Sequence, residues 1–153
     1  MTRKEALAFV RRHGIVLESA RGCVPNLAER VAGESVAGRW WAHPKGREIF
    51  ALTRALRASP GIMVCRLVAG RITYVHERLW PALARLSTRF PQANLAIVRE
   101  THTRAGTHRV QSIPFRKWLP ARVMRQAEKL KVSDAEALIG ETLPDACGLL
   151  HSE

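Results

Sequence analysis

The chain has 153 residues, 46% hydrophobic and 25% charged, which is enough apolar material for one compact core and excludes a disordered chain. No apolar run approaches the roughly 20 residues that span a bilayer, residues 1–10 are too short and too charged for a signal peptide, and Cys23, Cys65 and Cys147 are too scattered for a disulfide framework or a CxxC metal knuckle. The net charge of +12 is uneven: residues 39–125 hold 17 Lys and Arg against only Glu48, Glu77 and Glu100, whereas residues 126–153 hold two Lys and six acids.

In chain order, residues 3–13 read as a helix, with Leu7 and Val10 at helical spacing and His13-Gly14 as its stop. Ile15-Val16-Leu17 is a short strand candidate. Pro25 opens a second helix through Leu27, Ala28 and Val31, ending at Gly33. A third helix over 45–58 places Ile49, Leu52 and Leu56 on one face and Arg47 and Arg54 on the other, flanked by Phe50 and Arg57. Ser59-Pro60-Gly61 closes it. Residues 62–68 and 71–76 are rich in strand formers and are joined by Ala69-Gly70, the pattern of a hairpin.

A fourth helix is expected over 78–89, with Leu79, Leu83 and Leu86 inward and Arg78, Arg85 and Arg89 outward. Residues 91–113 admit two readings: a helix opened by Pro91 through Leu95 and Val98, or a strand over 95–101, followed by a turn at Arg104-Ala105-Gly106 and a strand over 108–113. Pro114 and Pro120 bracket a loop with Phe115 and Trp118. A basic helix over 120–131 turns Val123, Ala127 and Leu130 inward and Arg122, Arg125 and Lys129 outward. Ser133 and Glu136 have capping-box spacing and start an acidic helix to Ile139, with Gly140 as its stop.

Three helices followed by a hairpin is the element order of a winged helix, in which the third helix enters the major groove and the hairpin touches phosphates. The expectation is therefore an α+β chain. It has a winged-helix-like three-helix core with a β-hairpin, a second small strand pair and C-terminal helices. Residues 1–118 form the basic domain and 119–153 a helical tail, acidic at its end. The alternative is a small α+β domain whose sheet combines both strand pairs.

A segment with so few acids repels itself unless an anion is near, which is the footprint of a phosphate binder. Codon drift toward arginine is the compositional alternative, but drift does not account for acids being scarce only in the middle. The tandem Trp40-Trp41, beside Arg39 and Lys45, can stack on bases or pair with arginine. Two adjacent tryptophans rarely both point inward, so one is expected at the surface. His43-Pro44-Lys45-Gly46 precedes a helix start and forms a candidate anion site, without the spacing of a nucleotide-binding P-loop. Arg47, Arg54, Arg57, Arg66 and Arg71 are the candidate phosphate contacts.

The histidines carry the catalytic alternative. His76, Glu100, His102 and His108 can serve a metal hydrolase, as ligands to a divalent ion, or a metal-free acid–base pair, if the two hairpin regions converge. Their ordinary reading is as separate, solvated or hydrogen-bonding side chains. No cofactor motif is evident: there is no Gly-x-Ser-x-Gly elbow, no dinucleotide fingerprint and no Cys–His pair.

Residues 38–50 (GRWWAHPKGREIF), 73–81 (TYVHERLWP) and 100–108 (ETHTRAGTH) resemble motifs shared by a family of small uncharacterised bacterial proteins, a likeness covering about residues 15–120. The resemblance implies that the three motifs belong together and carries no catalytic residue across. The reading is a cytoplasmic nucleic-acid-binding protein, with DNA favoured over RNA and no membrane partner. One alternative is an enzyme acting on nucleic acid, a nuclease or base-removing enzyme. Another is a non-catalytic protein whose basic face docks an acidic partner or a second copy.

Overall fold

Thr2 opens the first helix by a reciprocal cap: the Glu5 N–H donates to Thr2 Oγ1 at 3.2 Å, and the Thr2 N–H donates to Glu5 Oε2 at 2.6 Å. That helix, α1, spans Arg3–His13 and ends at Gly14, whose φ of 79° lies in the left-handed region that favours glycine. A Cβ at Gly14 would also meet Leu79 Cδ1 at 2.7 Å. The computed structural model describes residues 1–19, 24–36, 39–66, 71–87, 96–102, 108–114 and 119–142; for residues 87, 96–102, 108–114 and 141–142 it describes the backbone alone.

Strand β1 (Ile15–Leu17) leads to α2 (Leu27–Ala32), capped by Asn26, whose Oδ1 accepts from the Glu29 N–H at 3.2 Å. A 3-10 turn over Trp40–Ala42 precedes α3 (Gly46–Arg57). The hairpin follows as β2 (Ile62–Arg66) and β3 (Ile72–His76). Its connecting residues, Ala69 and Gly70, lie outside the described residues. A second 3-10 turn, Glu77–Leu79, runs into α4 (Trp80–Ser87), so the fourth helix begins two residues later than its leucine spacing implies. Arg89 lies outside the described residues.

Residues 96–102 form strand β4 (Ala96–His102), paired with β5 (His108–Pro114), which decides the open choice for this region in favour of a strand. Helices α5 (Ala121–Lys129) and α6 (Val132–Thr142) are the last elements among the described residues. Helix α6 runs through Gly140 rather than stopping there. Nothing lies within 4 Å of a Cβ placed at Gly140, so the glycine answers no steric need. The propensity cost of one glycine in a helix, about 1 kcal/mol, is small beside the packing of the helix's inner face.

The chain is α+β, and its strands form one antiparallel sheet in the order β1-β3-β2-β4-β5. Ile15 pairs with Val75, Met63 with Val75, and Val64 with Tyr74. The link to the second pair is made by Cys65 with Ile97 and Arg66 with Ala96. Both strand pairs thus combine in a single sheet.

Alternation along β1–β3 divides the core in two. Val16, Ile62 and Tyr74 face a cluster with Ala6, Val10, Leu27, Ile49 and Leu56 of helices α1–α3. Ile15, Met63 and Val75 face a cluster with Leu83 of α4, Val123 and Ala127 of α5, and Ala135 and Ile139 of α6. The result is a layer of helices on each face. Helices α5 and α6, in the segment expected as a C-terminal helical tail, form one wall of a core shared with the sheet. The amphipathic faces of α5 and α6 have nowhere else to bury their apolar stripes.

Candidate nucleic-acid interface

Helix α3 is positioned by burial of Ile49, Leu52, Thr53 and Leu56. That leaves Arg47, Phe50, Ala51 and Arg54 exposed on the opposite side, as helical periodicity requires. Phe50 is 51% exposed, and the Arg54 guanidinium carbon lies 5.8 Å from its ring centroid, within cation–π range. Glu48, an acid in the first turn of this helix, is half-buried and bound by the Met1 ammonium at 2.7 Å.

The preceding 3-10 turn is pressed onto the start of α3. A Cβ at Gly46 would stand 2.8 Å from the Trp41 carbonyl oxygen and 3.0 Å from that of Trp40, so only glycine allows this approach. Trp40 is half-buried against the α1–α3 cluster and stacks on Phe50, with ring centroids 6.4 Å apart and planes at 26°. Trp41 meets Trp40 edge to face at 5.9 Å and is 66% exposed. The expectation that one tryptophan of the pair stands at the surface is met by Trp41.

The segment between α2 and α3 is fastened at several points. His43 Nε2 contacts Glu34 Oε1, and His43 Nδ1 accepts from the Lys45 N–H at 3.1 Å. Lys45 Nζ donates to the carbonyl of Val31 at 3.2 Å, so its ammonium serves the C-terminal end of α2. Lys45 therefore anchors the loop as well as adding charge to it. Arg39 is exposed at the start of the turn.

Arg57 departs from the expected set. Its Nη2 donates to Glu18 Oε1 at 3.0 Å, and the Tyr74 hydroxyl donates to the same oxygen at 2.7 Å. Glu18 and Tyr74 are buried, so this arginine compensates a buried carboxylate and ties α3 to the sheet. Burial, followed by the charge of Glu18, pushes the Tyr74 hydroxyl well above its ordinary value of 10.0. Sequence gave no local sign of this network, because Glu18 and Arg57 are 39 positions apart. On the hairpin, Arg71 is exposed and Arg66 half-buried, flanking the connection between β2 and β3.

The arginines expected on the outside of α4 are also engaged. Arg78 donates from Nε to the carbonyl of Arg11 and from Nη2 to that of Arg12, both at 3.2 Å, and Arg85 Nε donates to the carbonyl of Leu130 at 2.9 Å. Arg122, Arg125 and Lys129 of α5 are exposed.

Among the histidine candidates, His76 ends β3, and its Nδ1 accepts from the Arg78 N–H at 3.3 Å, capping the second 3-10 turn. Burial holds its imidazole below the ordinary 6.5, against the opposing pull of Glu77. His102 and His108 are register partners at the end of the β4–β5 ladder, with Glu100 opposite Val110. The side chains of Glu100, His102 and His108 lie outside the described residues. Strand β2 lies between β3 and β4, so His76 is not a pairing neighbour of any of the three. Among the described residues, no group of three or more His, Cys, Asp or Glu side chains converges. Burial pushes the Cys65 thiol up to about 12, which makes it an inert core residue. No described helix is long and apolar enough to cross a membrane. No protein-family model, curated protein or solved structure matches the chain.

Proposed function

We propose that the chain binds nucleic acid, contacting phosphates through Arg39, Arg47 and Arg54, with Arg66 and Arg71 of the hairpin as flanking contacts. The observation that carries this reading is the outward face of α3: Arg47, Phe50, Ala51 and Arg54 are exposed there, and the neighbouring acid, Glu48, is paired with the Met1 ammonium. A solvated helix face ordinarily mixes charges of both signs. A one-signed face in a segment of 17 basic residues and three acids attracts a polyanion.

Topology supports a winged-helix-like arrangement of residues 3–76. Helix α1, β1, α2, α3, β2 and β3 follow in that order, and β1 lies beside β3 of the hairpin. Two features are particular to this chain: the extended, fastened segment between α2 and α3, and β4 paired along the outer edge of β2.

The test is a salt series of binding to short DNA and RNA strands. Log affinity falls linearly with log salt, and the double variant Arg47→Ala/Arg54→Ala binds at least about tenfold more weakly, with the slope reduced by about two. Unchanged affinity and slope in the double variant would remove these arginines from the interface.

A second reading keeps one observation of its own. The backbones of His102 and His108 are register partners at the end of the β4–β5 ladder, which brings the two positions to one place where an acid–base pair would draw on both. Strand cleavage or base loss on a denaturing gel, abolished in His102→Ala and His108→Ala, would establish it; intact products from the wild-type protein would dismiss it.

A further inference from the structure

Resting on the nucleic-acid reading above, we infer that the ridge Trp41–Trp40–Phe50 takes unpaired bases, so that the ligand of this surface is single-stranded nucleic acid rather than an intact duplex. Trp41, Phe50 and Leu138 are the exposed large hydrophobic side chains among the described residues, and the two aromatics stand together while Leu138 belongs to α6. Exposing large aromatic surface at one place is unfavourable in an isolated protein and marks a contact surface.

The ridge is pre-organised. Trp40 stands between its neighbours, 5.9 Å from Trp41 and 6.4 Å from Phe50 between ring centroids. Its backbone is seated on Gly46, and the loop that carries it is tied to α2 through Lys45 and to Glu34, just beyond α2, through His43. Little side-chain freedom therefore remains to be lost on binding.

The chemistry selects the occupant. An intact duplex buries its base faces in the stack and offers polar edges, which are read by Arg, Asn, Gln, Ser or Thr. The exposed face of α3 offers two arginines, and its threonine, Thr53, is buried with its hydroxyl donating to the carbonyl of Phe50 at 2.8 Å. An unpaired strand presents what this surface complements: flat π faces for Trp41 and Phe50, and phosphates for Arg39, Arg47 and Arg54. Stacking of a base on an aromatic side chain contributes roughly 1–3 kcal/mol and is indifferent to base identity. An acidic protein would satisfy the arginines but would leave the aromatic faces without a planar partner.

The experiment compares three probes on the full chain at one salt concentration: a thymidine oligonucleotide, the same backbone with abasic sites in place of the bases, and a duplex of matched length. The intact strand binds tightest and quenches tryptophan emission, and the abasic strand does neither. Trp41→Ala lowers affinity for the intact strand by about 5- to 150-fold, the range of one lost stack. It leaves the abasic strand and the unfolding midpoint unchanged, and Trp41→Phe retains most of the binding. Equal affinity for the intact and abasic strands, or tighter binding of the duplex, would overturn the base-stacking ridge and leave the phosphate reading standing. Failure to bind any of the three at low salt would overturn both.

Discussion

On helix α3, Arg47 and Arg54 stand exposed beside Phe50, whereas on α4, across the sheet, Arg85 donates its Nε–H to the carbonyl of Leu130. Arg78, just ahead of α4, likewise serves the carbonyls of Arg11 and Arg12 at the end of α1. Both helices are amphipathic and arginine-bearing. The difference lies in what the fold brings within reach. The last turn of a helix leaves carbonyls without intrahelical partners, and an arginine fork placed there satisfies them. The ends of α1 and α5 meet the arginines around α4, while among the described residues no helix-end carbonyl accepts from Arg47 or Arg54. A high arginine count therefore combines two populations, one that completes the protein's own hydrogen bonding and one left exposed at the surface.

The sharpest test of this contrast concerns the α4 side. Ile139 of α6 is fully buried in the cluster shared with Leu83 and Met63. Ile139→Ala should cost about 2–5 kcal/mol of stability by denaturant unfolding, in one cooperative transition. A loss below about 0.5 kcal/mol would restore the view of α6 as a peripheral tail. Next in size, Glu18→Gln removes the charge that Arg57 compensates and weakens the anchor of α3. About 1–3 kcal/mol should be lost, less than for a fully buried ion pair because the Arg57 side chain is partly open to water.

Arg85→Ala should lower stability by about 1 kcal/mol, the scale of one hydrogen bond, and leave nucleic-acid affinity unchanged. The opposite pattern, strong loss of binding with stability intact, would move Arg85 into the interface and erase the contrast with α3. The smallest effect is one of pH. The folded protein favours neutral His76, so its contribution is fully present above about 6.5 and is lost as pH falls through its lowered folded value. His76→Asn, which can still accept from the Arg78 N–H, should flatten stability against pH in that window.

Much of the architecture was legible because it depends on local period and local breakers. Ile49, Leu52 and Leu56 announce the buried face of α3, and therefore the exposed face that carries Arg47 and Arg54. The strand formers on either side of Ala69-Gly70 announce β2 and β3. Two adjacent tryptophans rarely both point inward, and Trp41, 66% exposed, is the one that stands at the surface. Residues 91–113 were ambiguous because short apolar runs satisfy helix and strand periods alike. Their resolution came from pairing with β2 through Cys65 and Arg66, a partner some 30 positions away in sequence.

What the sequence determined by itself was the period of each element, the basic middle segment and the aromatic pair ahead of α3, all of which follow from composition and spacing within a few turns of chain. Only the tertiary structure decided which arginines are engaged and where the core ends. Arg57 meets Glu18 across 39 positions, Arg85 meets Leu130 across 45, and Arg78 meets Arg11 across 67. Helices α5 and α6 count as core because the second face of the sheet needs a cover. Such contacts are set by which surfaces must be buried together, and no local pattern encodes the identity of a partner that distant.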